Sequence, residues 1–164
     1  MAFKIRVILD VNEDVIRDLL VDETSSLESL HFSIARSFGF KGQEMASFFR
    51  ADIDWEQGEE IPLSDMTDTG HAMTMRDYSV KDLLTSDEER LIYVYDFFHM
   101  WTFFVTRVGE ESEVVDPLPK TLQAIGNPPE KAPEKTFQAS PDSFLDEDDE
   151  TFPEDFEDLD TLAL

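Results

Sequence analysis

Apolar and polar residues alternate from residue 3 to residue 9, with Phe3, Ile5, Val7 and Leu9 on one side and Lys4 and Arg6 on the other. A period of two is the mark of a half-buried strand. Residues 10–14 are rich in turn formers and residues 15–21 read as a second strand, so the pair predicts a hairpin. The period then lengthens. Leu27, Leu30, Ile34 and Phe38 share one helical face. Ser25, with Glu28 three residues later, predicts a capping box in which each side chain takes up an unpaired amide of the first turn. Gly39 stands where a helix closes in left-handed backbone, a conformation that a Cβ disfavours.

Downstream, residues 45–50 predict a short strand, and residues 52–77 an irregular excursion with a small strand around Ile61. Residues 79–84 predict one helical turn, with Ser79 as its cap and Asp82 at the capping-box position. Two aromatic and β-branched runs, 91–98 and 101–108, flank His99 and Met100, and Tyr93, Tyr95 and Phe97 share one side of the first. Both predict central strands. Beyond Gly109, Pro117, Pro119, Pro128, Pro129 and Pro133 interrupt regular structure, although Leu118, Leu122 and Ile125 are available to cross the domain surface. These elements predict an α+β domain: a mixed or antiparallel sheet with an N-terminal hairpin, one principal helix packed on it, and a late aromatic strand pair. The domain is expected to span residues 1–131.

Residues 132–164 have a different composition. They hold 12 of the 38 acids and one of the 13 bases, so this tail carries −11 of the formal net charge of −25 and residues 1–131 carry −14. Such a segment cannot bury enough apolar area to offset its chain entropy, and it is expected to be disordered. The charge also narrows the partners. Direct binding to nucleic acid is disfavoured, because that affinity comes from Lys and Arg displacing counterions. Anionic membranes are disfavoured on the same grounds. A protein with a basic surface is favoured. With no cysteine there is no thiolate metal site or disulfide. The first residues lack the pattern of a secretory signal and no apolar run approaches a membrane span, so the cytoplasm is the expected compartment.

Candidate chemistry is sparse. His31, His71 and His99 lie in the helix, the excursion and a strand turn, and none has metal-ligand spacing to another. Asp52, Asp54 and Glu56 begin like a calcium loop, but the glycine comes one position late, at Gly58, and Leu63 replaces the bidentate acid. No cofactor or metal is expected. Asp96, His99 and Trp101 cluster in a strand–turn–strand and form a candidate surface site; the plainer expectation is that Asp96 shapes the turn and Trp101 fills core. No serine or second base is placed to complete a nucleophilic site, so an enzyme is not expected. In the tail, residues 142–160 hold eleven acids and no base, interleaved with Phe144, Leu145, Phe152, Phe156 and Leu159. Thr151 with Glu154 forms a capping box, and Phe152, Phe156, Leu159 and Ala163 fall on one helical stripe. That pattern suits docking into an apolar groove with a basic rim; folding back over the sheet, or a solvated tail with incidental aromatics, are the alternatives.

Three stretches together resemble a known family: residues 27–40 with their Phe-Gly-Phe end, Met45-Ala46-Ser47-Phe48-Phe49, and Tyr93-Val94-Tyr95-Asp96-Phe97 followed by Trp101. In that order and spacing they resemble the Ri-plasmid ORF-3-like family, also labelled transposon-passenger TnpR-like. Gly126-Asn127-Pro128-Pro129-Glu130 is similar to the Gly…Pro-Pro-Glu stretch that follows the last core strands in many members. The resemblance runs from about Phe3 to Lys131. It implies a compact α+β domain and no known activity. Many members read Tyr-Asp-Phe-Gly-Asp-x-Trp-x-His, whereas here Phe98 and His99 replace the Gly and Asp, and Phe103 stands where the later His would be. The resolvase-like label finds no support in the residues, which lack a serine set among arginines. The expected function is a non-catalytic interaction module whose tail docks on a basic, apolar partner surface. The alternative is a nucleic-acid mimic or regulator acting on a DNA- or RNA-binding protein, linked to mobile elements.

Overall fold

A computed structural model describes residues 1–133 except 66, 68, 69 and 87. The alternating N-terminal segment forms β1 (Ala2–Leu9), which pairs antiparallel with β2 (Ile16–Asp22) as the predicted hairpin. Helix α1 (Leu27–Ser37) follows, then β3 (Ala46–Ala51) and β4 (Gln57–Pro62). A 3-10 turn (Met75–Asp77) and the short helix α2 (Val80–Leu83) lead into β5 (Arg90–Tyr95), β6 (Trp101–Glu111) and β7 (Lys120–Ile125). The strands form one sheet in the order β4-β3-β5-β6-β1-β2-β7. Every neighbouring pair is antiparallel.

The core lies between α1 and one face of the sheet. Phe3, Ile5, Val7 and Leu9 of β1 are buried together with Leu27, Leu30, Ile34 and Phe38, the helical stripe read from the sequence. Full burial of each such aliphatic side chain contributes roughly 1.5–3 kcal/mol, so this interface rather than helix propensity holds α1 in place.

Three expectations need correction. The N-cap of α1 is Ser26, whose hydroxyl accepts the Ser29 amide at 3.0 Å. Ser25 instead donates its hydroxyl to the Asp22 carbonyl, and its own carbonyl accepts the Val80 amide. With serine at both 25 and 26, the acid at Glu28 pointed to the wrong one. Strand β5 stops at Tyr95, so Phe97 lies in the following turn, 41% exposed, and not beside Tyr93 and Tyr95. Asp96 and Met100 hold positive φ there (65° and 58°) and turn the chain too sharply for the ladder to continue. Residues 120–125 form a strand after all. β7 is an edge strand, where flanking prolines do not interrupt a ladder.

Arg17 explains how that edge is held. Its guanidinium is buried against the Phe38 ring and donates to four carbonyls: Ile16, Ser37, Ile125 and Gly126. One side chain therefore ties the helix end to the end of β7. Gly126 (φ 73°) sits so close to the Asp14 carbonyl that a Cβ would lie 2.2 Å from its oxygen.

Candidate functional site

The end of α1 begins the site. The Gly39 amide (φ 91°) bonds to the Arg36 carbonyl and the Phe40 amide to that of Ala35, a left-handed closure that satisfies the last carbonyls. The chain then passes through residues 40–44 alongside the end of β5. Three side chains beneath fix this loop. The Tyr95 hydroxyl accepts the Gly42 amide at 3.0 Å and the Glu44 amide at 3.4 Å. His31, fully buried under α1, reaches the Gly42 carbonyl through Nε2 at 3.1 Å and the Tyr93 hydroxyl through Nδ1 at 2.5 Å. Because a carbonyl only accepts, Nε2 carries the proton, and Tyr93 donates to Nδ1. Burial pushes the His31 pKa down and the Tyr93 pKa up, keeping both neutral.

On the other side, the 96–100 turn is organised by Asp96. Its amide donates to the Met45 carbonyl, its carbonyl accepts the His99 and Met100 amides, and Oδ1 accepts the Phe98 amide. Oδ2 receives His99 Nδ1 at 2.6 Å. That bond places the proton of a neutral His99 on Nδ1 and leaves Nε2 as an acceptor on a half-exposed ring.

Loop and turn enclose a cleft of about 360 Å³. Its apolar floor is aromatic: Phe40 packs on Tyr95 at 5.3 Å and on Trp101 at 5.0 Å between centroids. Trp101 is 6% exposed and completes this floor. The rim carries Glu44, Asp96 and Glu130 against Lys41 and Lys131.

Asp96, His99 and Trp101, singled out in the sequence, therefore do meet, and they meet in a concavity. Asp96 also shapes its turn, and Trp101 also fills core. The opposite wall and the rest of the rim were not foreseen. Phe40 and Lys41 follow the helix-ending glycine, and Glu130 and Lys131 end the Gly-Asn-Pro-Pro-Glu segment, so glycine-marked chain reversals were the available signal. The carboxylate and imidazole could shuttle a proton, but among the described residues the lining includes no serine, threonine or cysteine for them to activate.

Elsewhere the three histidines stay apart, and among the described residues no group of three or more His, Asp or Glu side chains could hold a metal ion. Asp52 Oδ1 accepts the Asp54 and Glu56 amides, so that carboxylate caps its own loop. Phe144, Leu145, Phe152, Phe156 and Leu159 lie outside the described residues. No helix among the described residues is long and apolar enough to cross a membrane.

A family model described as plasmid pRiA4b ORF-3-like protein matches residues 1–156, past Lys131 and into the acidic tail. No curated protein matches the sequence. Among solved structures, a protein of unknown function from Methanosarcina mazei Go1 is similar, with a TM-score of 0.60 and 16% identity over 75% of this chain and 68% of that one. At that identity the likeness shows the fold alone.

Proposed function

This chain belongs to the plasmid pRiA4b ORF-3-like family, and from that premise we propose that it is a non-catalytic protein-interaction module of the cytoplasm, binding a partner with a basic surface. One observation carries the reading: the acid excess extends over the folded domain as well as the tail, while many of the domain's cations are engaged. Lys4 pairs with Glu111, Arg6 with Asp18, Arg50 with Glu59, Arg107 with Glu110 and Lys120 with Asp116, and Arg17 is buried on carbonyls. A field of this sign steers basic proteins inward and repels phosphate. The acidic tail, with its Phe and Leu stripe, supplies the apolar anchors that charge alone lacks.

Quantitative capture from host lysate tests this, comparing the full chain with one ending at Pro133, the limit of the compact unit. The reading predicts a defined basic protein retained by the full chain and lost on truncation. Capture unchanged by truncation would overturn the role of the tail. If the captured proteins are nucleic-acid binders and added DNA releases them, the mimic reading replaces it.

A further inference from the structure

The cleft between residues 39–44 and the 96–100 turn has features that a general acidic surface does not require. Its floor is aromatic, and three carboxylates stand on its rim. The C-terminal end of the 11-residue helix α1 closes one wall, through Gly39 and Phe40, and that end of a helix is electronegative. Aromatic faces and negative charge together favour a cation. Beside His99, Phe97 is 41% and Phe98 89% exposed, with the Phe98 ring edge-on to the imidazole at 4.9 Å. Exposed aromatics at a cleft mouth are the usual anchors of protein contacts, and they extend beyond what a small ligand would cover.

We propose that this cleft docks an extended basic segment of a protein partner. One Lys or Arg side chain lies over Phe40 toward Asp96, Glu44 and Glu130, and Phe97 and Phe98 pack on flanking residues of the same segment. Lys41 and Lys131 share the rim, so a single cationic side chain on a neutral backbone fits better than a polyamine. The inference rests on the proposed function, to which it adds a place and a recognition chemistry.

The test is a 15N-resolved NMR titration of the full chain with the blocked tripeptide Ac-Ala-Arg-Ala-NH2, with the Gln and Glu analogues as controls. The Arg peptide is expected to shift the Trp101 indole and His99 signals saturably, leaving the Trp55 indole unmoved. The analogues should bind at least about tenfold more weakly, the loss of one close charge pair. Asp96→Asn should weaken Arg-peptide binding by a similar factor, since Asn keeps the left-handed conformation and the acceptor for the Phe98 amide. The double variant Glu44→Gln, Glu130→Gln, at exposed positions outside any strand, provides the same test if Asp96→Asn does not fold. Equal binding of the Gln or Glu peptide, or no saturable shift at Trp101, overturns the proposal. If the full chain still captures a basic protein in that case, the cleft assignment fails and the interaction module stands.

Discussion

His31 is a neutral imidazole sealed beneath the helix, and its surroundings set a pH dependence. In the folded protein its pKa lies below the ordinary value of about 6.5, while in the unfolded chain it titrates normally. The unfolded state therefore binds the extra proton first. The stabilisation is complete above pH ~6.5 and is lost as pH falls below that toward the folded pKa. Urea unfolding of wild type should show stability declining as pH falls below about 6.5, and His31→Gln should flatten that decline. Protonation also turns Nδ1 into a donor, so the Tyr93 hydroxyl must accept that bond instead of donating it, while Nε2 keeps its bond to the Gly42 carbonyl. Gly126 offers a second residue-scale test. Gly126→Ala forces a Cβ onto the Asp14 carbonyl at positive φ and should lower stability by about 2–3 kcal/mol. Arg17→Met should lower it by about 2 kcal/mol, because the Ser37, Ile125 and Gly126 carbonyls lose a charged donor. Neither residue looks unusual in the sequence. Arg17 reads as one polar position of a strand, and only the long-range bonds to Ile125 and Gly126 give it a role.

At the scale of elements, local periodicity foretold what local forces decide. β1, the hairpin and the buried face of α1 follow from spacing alone, because each buries a continuous apolar side. The helix start depended on a choice between two adjacent serines. The structure predicts that Ser26→Ala costs about 1 kcal/mol in chemical denaturation, while Ser25→Ala stays within about 0.5 kcal/mol. β7 was not legible because its six residues are all exposed and carry no alternating apolar signal; pairing with β2 and the Arg17 clamp supply what its own sequence lacks. Phe97 was misplaced because apolar content does not report the left-handed backbone at Asp96 that ends β5. The cleft was half legible. Asp96, His99 and Trp101 are neighbours in sequence, whereas residues 40–44 and 130–131 reach them only through the sheet order that brings β5 beside β3 and β6.

At the scale of the molecule, charge dominates. A domain carrying −14 of the −25 total repels itself, so thermal stability should rise with added sodium chloride as like charges are screened. A melting temperature that falls with salt would show the engaged ion pairs outweighing that repulsion. The same screening acts on partner binding with the opposite sign, and this gives the most direct test of the interaction account. Once a partner is captured, its affinity for the full chain is measured by calorimetry across a range of salt concentrations, alongside the charge-neutral variant Phe152→Ala, Phe156→Ala. The account predicts affinity that weakens steadily with salt and a further loss of more than about tenfold in the double variant. Affinity that is indifferent to both salt and the two phenylalanines would contradict it.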